Sequence, residues 1–339
     1  MLKFFRNLKN FKFTPLTRFI ASFLITLIVM GGGFWGVYSY IFMDMDTEQS
    51  LKKEEAGIEK QEYHTDEIIN IALFGIDTTD GSMKGRSDSI IIVTLDNKNK
   101  EIRLSAVQRD TYVKIEGYRN KTKINHAFAY GGAPLAVKTL NQTFGLDIQD
   151  YAVINFTNME KVIDVLGGIE LEVSSAYQQE ANKQITKLAQ KRGITPKPIP
   201  STGKQNLSGM QVLGMLRARY NVGGTAQRSA MHEIVLNACY EKIRKKSVLE
   251  YPNIAKELLA LVQTTLTGND VTGIGMKIVF SGYKIRNAVF PLEADQQGGY
   301  GGKMIGGVWY LTYDEGPGNQ HLRDFVYNGV LYGEKKDEE

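Results

Sequence analysis

The chain has 339 residues, with 41 Lys and Arg against 37 Asp and Glu, enough for one large domain or two ordinary ones. Its formal charge of +4 looks basic, but residues 1–18 hold Lys3, Arg6, Lys9, Lys12 and Arg18 with no acid, and removing those five from 41 leaves 36 basic against 37 acidic residues. A nearly neutral remainder argues against non-specific nucleic-acid binding, and a single cysteine, Cys239, excludes an internal disulfide.

Residues 1–18 read as a basic cytoplasmic tail. Residues 19–42 carry no charged side chain. At about 1.5 Å per residue that run spans roughly 36 Å, enough for a hydrocarbon core of about 30 Å, and it reads as a transmembrane helix. Gly31 to Gly33 would weaken a soluble helix but are tolerated in lipid, and Trp35, Tyr38 and Tyr40 stand toward the outer end, as interfacial anchors do. The cations precede the run and Asp44, Asp46 and Glu48 follow it, so the positive-inside rule puts the N-terminus in the cytoplasm and the rest of the chain outside. A cleaved signal peptide is the competing reading, but the run is too long and no compact small-residue cleavage site follows it. Residues 43–66, rich in Glu, Lys, Gln and Asp, read as a charged stalk, 67–333 as the extracytoplasmic domain and 334–339 as a charged tail.

Within that domain Ile68 to Phe74 is an apolar run stopped by Gly75, Ser89 to Leu95 is a second, and Glu101 to Val107 is a third that alternates. All three have the length and boundaries of strands. Asp77 follows the first, Arg86 and Asp88 head the second, and Arg109 and Asp110 follow the third. Strand ends are where a sheet presents side chains to a ligand. Two carboxylates and two arginines at one rim suit a divalent metal and a polyanion; the same residues also read as solvated surface pairs of little energetic weight.

Further along, Pro134 to Phe144 reads as a helix with Leu135, Val137, Leu140 and Phe144 on one apolar face. Tyr151 to Phe156 reads as a strand, Met159 to Leu166 as a helix closed by Gly167-Gly168, and Ile169 to Val173 as a strand. Gln178 to Asn206 lacks a clear period, and Pro196, Pro198 and Pro200 make its second half a loop, so it reads as an insertion or lid. Ser208 and Gln211 form a capping box for a helix running toward Arg217. Arg217 and Arg219 would lie about 200° apart on a continuing helix, so both reach one ligand only if the chain extends near Ala218. Met231, Ile234, Val235 and Ala238 mark the next helix, with Cys239 as a packing residue. Pro252 to Leu266 reads as a helix, Ala288 to Leu292 and Val308 to Tyr313 as strands, and Gln320 to Leu331 as a closing helix. The alternation predicts an α/β fold: a layered α/β/α domain with a central mixed sheet, plus one N-terminal transmembrane helix.

Between Asn70 and Lys246, GIDTTDGSMKGRSDSIIIVTLD, LSAVQRDTYVKI, KINHAFAYGG, LGGIELEV and GKQNLSGMQVLGMLRARY resemble, in order, the motifs of the LytR-CpsA-Psr family of membrane-anchored cell-wall phosphotransferases. The resemblance implies transfer of an anionic glycopolymer, of teichoic acid or capsular polysaccharide type, from undecaprenyl pyrophosphate to peptidoglycan. It also implies that Asp77 and Asp88 hold Mg²⁺ or Mn²⁺ and that Arg86, Arg109, Arg217 and Arg219 contact the pyrophosphate. Arginine's planar fork suits phosphate oxygens, and a hard cation needs only one or two carboxylates beside phosphate and water. Asp110 orients Arg109, accepts a proton, or forms a plain strand-end ion pair. The polyprenyl tail needs an apolar groove, for which the helices at 134–144 and 159–166 are the expected walls.

The chain departs from the family pattern at YNVGGTAQRSAMHE. Arg228 remains there as a pyrophosphate contact, but Gly224 or Thr225 stands at an acid position, Met231 and His232 stand where Arg and Gln are usual, and Thr79 replaces an arginine of many members. His232 is either a substitute donor or a structural residue. The departure raises a second reading, a catalytically weakened or inactive polyprenyl-pyrophosphate-binding protein that assists wall assembly. A gene-regulatory reading is weakened, since the short basic tail shows no DNA-binding pattern.

Overall fold

Burial on both faces explains the near-continuous apolar strands at the centre of the molecule. Ile68–Ile76 (β2) pairs antiparallel with Ser87–Asp96 (β3), which pairs antiparallel with Glu101–Val107 (β4). Ala72, Phe74, Ile76, Ile90 and Ile92 pack on one side of the sheet, while Ile71, Ile91, Leu95, Leu104 and Ala106 pack on the other. The structure, a computed structural model, describes residues 39, 46–58, 67–76, 78, 82–218, 225–247 and 250–334. The basic tail and all but one residue of the apolar run at 19–42 lie outside them, and no helix among the described residues is long and apolar enough to cross a membrane.

The sheet has seven strands in the order β1-β10-β7-β2-β3-β4-β11, with Asp46–Thr47 as β1, Asp150–Asn155 as β7, Gln263–Thr264 as β10 and Lys284–Phe290 as β11. Parallel and antiparallel pairs mix, as expected from the sequence. Tyr112–Val113 (β5) and Thr122–Lys123 (β6) form a small hairpin, and Ile169–Val173 (β8) pairs with Gly203–Leu207 (β9). Gly301–Ile305 (β12) and Val308–Thr312 (β13) form another hairpin, turned at Gly306 (φ 57°) and Gly307 (φ 79°). The paired positive φ values are those of a two-residue turn that glycine adopts without strain.

On one face, His126–Phe144 (α1) buries Ala136, Val137, Leu140 and Phe144 against Phe74, joined by Phe325 and Val326 near the C-terminus. Backbone angles at Gly131 and Gly132 break α1, so its second segment begins near Pro134, as the sequence indicates. The other face carries Phe156–Val165 (α2), Thr225–Arg244 (α5), Tyr251–Leu259 (α6) and Gly268–Ser281 (α7).

Four readings are corrected. Ser175–Arg192 (α3) is a regular helix rather than an irregular lid; Ser174 caps its start, Gly193 (φ 67°) ends it, and Ala181, Ile185, Leu188 and Ala189 make a narrow stripe that the surrounding Gln and Lys obscure. It packs against Gly209–Leu216 (α4), whose capping box forms with Gln211 Oε1 accepting from Ser208 N at 2.9 Å. The helix read over 252–266 stops at Leu259, because buried Thr264 and Thr265 bond to Tyr151 of β7 instead. The closing helix starts earlier, at Glu315–Arg323 (α8), capped by Asp314, and a wider turn follows over Asp324–Asn328. Residues 46–58, read as stalk, supply β1 and the buried Leu51 and Ala56, so they belong to the folded unit.

Arg103 of β4 is fully buried. It bridges Asp96 and Glu101 and donates Nη1 to Val326 O at 2.8 Å. Gly329 (φ 65°) closes over the guanidinium, where a Cβ would lie 2.8 Å from Nη2. Burial pushes the Asp96 carboxyl up, but hydrogen bonds from Asn99 and the Arg103 charge outweigh it and hold the carboxyl below its ordinary value. A carboxyl lowered by folding stabilises above its unfolded pKa, and that stabilisation is lost as pH falls through the lowered one. Replacing Arg103 by Met should therefore destabilise the domain by about 3–5 kcal/mol at neutral pH in denaturant titrations, since Asp96 is left buried without its partner, and the deficit should shrink in acid. A loss below about 1 kcal/mol would contradict this account of the pair.

Candidate active site

Strands β2, β4, β7 and β11 run the same way, so their C-terminal ends and the start of β3 share one edge of the sheet. At this rim Gly75 pairs with Ser89 and Ile76 with Ser87, leaving Asp88 as the extra residue of a β-bulge. Bulges re-aim a side chain at a strand end. Asp88 Oδ2 accepts from Arg109 Nη1 at 2.7 Å and Oδ1 from Asn125 Nδ2 at 3.2 Å.

The turn after β4 supplies the next layer. Arg109 Nε lies 3.6 Å from Asp110 Oδ2, and Lys123 Nζ donates to Asp110 Oδ1 at 2.7 Å. Ile124 N donates to Thr111 O and Asn125 N to Arg109 O, which ties the loop before α1 to that turn. Asp110, buried between two cations, has the contacts of a group that orients them. His126 follows, its Nδ1 2.8 Å from Thr122 Oγ1. Burial, then the charges of Arg86 and Lys123, hold this imidazole below the ordinary histidine pKa, with Asp110 acting in the opposite sense. Arg86 itself is exposed.

An apolar cavity of about 230 Å³ opens from the rim along one face of the sheet. Leu73, Ile91 and Ile154 form its floor, Met159 and Val162 of α2 and Val235 and Leu236 of α5 its walls, with Leu258 of α6. Ser89 and His232 are the polar side chains of the lining. Phe156 lines the cavity beside the rim residue Gly75: its ring faces the bare Cα of Gly75, where an added Cβ would lie 3.7 Å away, and the Arg217 guanidinium carbon lies 5.8 Å above its centre. His232 is 6.2 Å from Phe156, ring to ring. Helix α4 ends at Leu216 and Arg217 caps it, still right-handed helical (φ −91°, ψ −5°) with its N–H on Leu213 O; the extension expected near Ala218 would bring Arg219 to the same ligand, and Arg219 lies outside the described residues.

The structure thus joins Asp88, Arg109 and Asp110 by direct contacts, lets the Arg86 charge act on His126, and seats Arg217 over the Phe156 ring. Asp77 and Arg219 lie outside the described residues; Arg228 is on α5, but its side chain lies outside them too. Of the expected groove walls, α2 lines the cavity. The 134–144 segment of α1 does not, because its apolar face is spent on the opposite side of the sheet. Cys239 also lines the cavity; burial pushes its thiol up to about 12, which keeps it protonated. Lys123, Asn125, His126 and Phe156 were not singled out from sequence. The first three lie within KINHAFAYGG, where polar residues beside a helix start were the available signal.

Among the described residues no three His, Cys, Asp or Glu side chains converge on one point. Asp88 nevertheless fits a hard cation. A carboxylate offers about four lone-pair positions and the contacts above use two. Beside it, Asn125 Oδ1 is buried with no hydrogen-bond partner, an oxygen of the kind Mg²⁺ or Mn²⁺ accepts.

A model of the LytR_cpsA_psr family matches residues 37–322. The polyisoprenyl-teichoic acid–peptidoglycan teichoic acid transferase TagU of Bacillus cereus is 28% identical over 299 residues, 86% of this chain and 90% of that one. TagT bound to LIIa-WTA, a Bacillus subtilis protein, shares the fold with a TM-score of 0.64 at 23% identity, over 84% of this chain and 100% of that one. The LytR-CPS2A-psr family protein YwtF (TagT) with bound octaprenyl pyrophosphate lipid does so at 0.60 and 22% identity, again over 84% and 100%. With the motifs in order along the chain and the family model spanning sheet, rim and cavity, the chain belongs to the LytR_cpsA_psr family.

Proposed function

We propose that the protein transfers an anionic glycopolymer of teichoic acid or capsular type from undecaprenyl pyrophosphate to peptidoglycan, forming a phosphodiester link. The observation that carries this reading is the junction at Phe156 of an apolar cavity with a rim of arginines and carboxylates. One ligand needs both halves: a doubly charged head for Arg109, Arg217 and Arg86, and a hydrocarbon tail for the cavity. The similar TagU and TagT proteins are named for, or bound to, molecules of this class. At about 230 Å³ the cavity is smaller than the roughly 300–1,000 Å³ usual for drug-sized ligands, so it takes the isoprene units next to the head and leaves the rest of the tail in lipid.

In this reading an acceptor sugar hydroxyl attacks the glycan-side phosphorus. The new oxygen–phosphorus bond forms as the bond to the bridging oxygen breaks, the electron pair leaves on undecaprenyl phosphate, and the hydroxyl proton passes to water. Arg109, fixed by Asp88 and Asp110, and Arg217, seated on Phe156, stabilise the growing charge of the leaving phosphate from preset positions. Arg219 and Arg228 are further pyrophosphate contacts by family resemblance. Asp77 and Asp88, with Asn125 Oδ1, would hold Mg²⁺ or Mn²⁺, which supplies Lewis-acid polarisation of phosphate oxygens. The run at 19–42 anchors the chain in the cell membrane with the N-terminus cytoplasmic and the catalytic domain outside. The altered 221–233 segment supports the second reading, a binder that holds the lipid without turnover.

Full-length protein given lipid-linked polymer, peptidoglycan and Mg²⁺ should form the linked product. Asp88→Ala and Arg109→Ala should each slow it by about tenfold to a hundredfold, the range of one or two lost charge-assisted contacts. Chelation should abolish transfer and Mg²⁺ restore it. Undiminished turnover in both variants would contradict the site, while tight lipid binding without product in wild type would establish the binder. Met159→Trp, which fills the cavity, should raise the apparent KM for long-chain lipid by about tenfold with kcat changed less than about twofold; an unchanged KM would remove the cavity from substrate binding.

A further inference from the structure

Half of the large apolar side chains that stand exposed among the described residues, five of ten, fall between Tyr300 and Trp309. They belong to the β12–β13 hairpin: Met304 is 66% exposed, Val308 42%, Ile305 38% and Trp309 38%, with Tyr300 beside them. Residues 296–313 include one charge, Lys303, and no acid. Aliphatic side chains around a glycine turn, flanked by Trp, Tyr and Lys, have the composition of an interfacial lipid contact. A glycan-binding face would interleave its aromatics with acids, which this stretch lacks.

Two further observations fix what the hairpin meets. First, it is attached to the catalytic rim. Leu311 N donates to Asp110 O at 2.9 Å, and Lys123, bridged to Asp110, lies 5.9 Å over the Trp309 ring. Second, the chain enters the sheet from the same end. β1 runs parallel to β10 and so opposite to β7, with Asp46 level with Val153 and Thr47 with Ala152. The first residue of β1, Asp46, is therefore at the end of that strand nearer Asn155 and the rim. Four residue steps separate Asp46 from Phe42, the last residue of the uncharged run, and at about 3.5 Å each they reach no more than about 14 Å.

We propose that the β12–β13 hairpin docks its tip into the outer leaflet of the bilayer and holds the rim at headgroup level, where the pyrophosphate of a lipid-linked substrate lies. The proposal rests on the membrane attachment argued above. Met304, Ile305 and Val308 enter the lipid, Trp309 and Tyr300 sit at its interface, and Lys303 meets phosphate headgroups.

The chain has two tryptophans, Trp35 and Trp309, so Trp35→Phe leaves Trp309 as the sole reporter. Full-length Trp35→Phe protein in phosphatidylcholine–phosphatidylglycerol vesicles should lose about half of its tryptophan emission when the acyl chains are brominated. Adding Met304→Ser, Ile305→Ser and Val308→Ser should abolish that quenching while the chain still resists alkaline carbonate extraction. The same triple change should slow transfer from vesicle-borne substrate by about tenfold and leave transfer in detergent micelles within about twofold. An inserted chain whose Trp309 is unquenched would overturn the docking alone, as would an emission that responds to soluble peptidoglycan fragments instead. Carbonate-extractable protein would overturn both the membrane attachment and the docking.

Discussion

Burial of the central sheet on both faces is the constraint from which the rest follows. Strands β2 and β3 are apolar on either side, so charged groups find room at the strand ends, apart from internally paired exceptions such as Arg103 with Asp96. Because four strands run in parallel, several of those ends meet at one edge, and the β-bulge turns Asp88 into the space they share. Helices α2 and α5 stand off the sheet enough to leave an apolar cavity that reaches the same edge. The charged rim and the apolar cavity are thus two consequences of one layered packing.

Within the rim, Arg109, Lys123 and Arg217 are each placed by a carboxylate or an aromatic ring, while Arg86 is exposed. Arg109 lies between Asp88 and Asp110, Lys123 is bridged to Asp110, and Arg217 rests on Phe156. Such pairing lowers the reorganisation needed when a polyanion arrives, because the guanidinium groups already occupy fixed positions. It also explains why a neutral His126 is tolerated there: burial and the charges of Arg86 and Lys123 all disfavour a further proton.

The central strands were legible because their apolar runs and turn residues are local signals. β4 matched over Glu101 to Val107, and the charges of Asp88, Arg109 and Asp110 stood at their ends as read. What escaped was set by tertiary packing. An apolar stripe on α1 or α2 does not say which face of a sheet it covers, and only α2 lines the cavity. The strand at Thr264 exists because buried threonines bond to β7, a partner more than a hundred residues away. Helix α3 was hidden by its polar surroundings, although Ser174 and Gly193 cap it in the usual way. Phe156 had no sequence signal for its part in seating Arg217. The entry of β1 at the rim end of the sheet is a matter of strand register alone.

A structure of the protein with a polyprenyl pyrophosphate tests the central claim most directly. The account requires the pyrophosphate against Arg109 and Arg217 beside Asp88, with the first isoprene units between Ile91, Met159 and Val235. A tail lying elsewhere, or a head bound away from the bulge at Asp88, would contradict it.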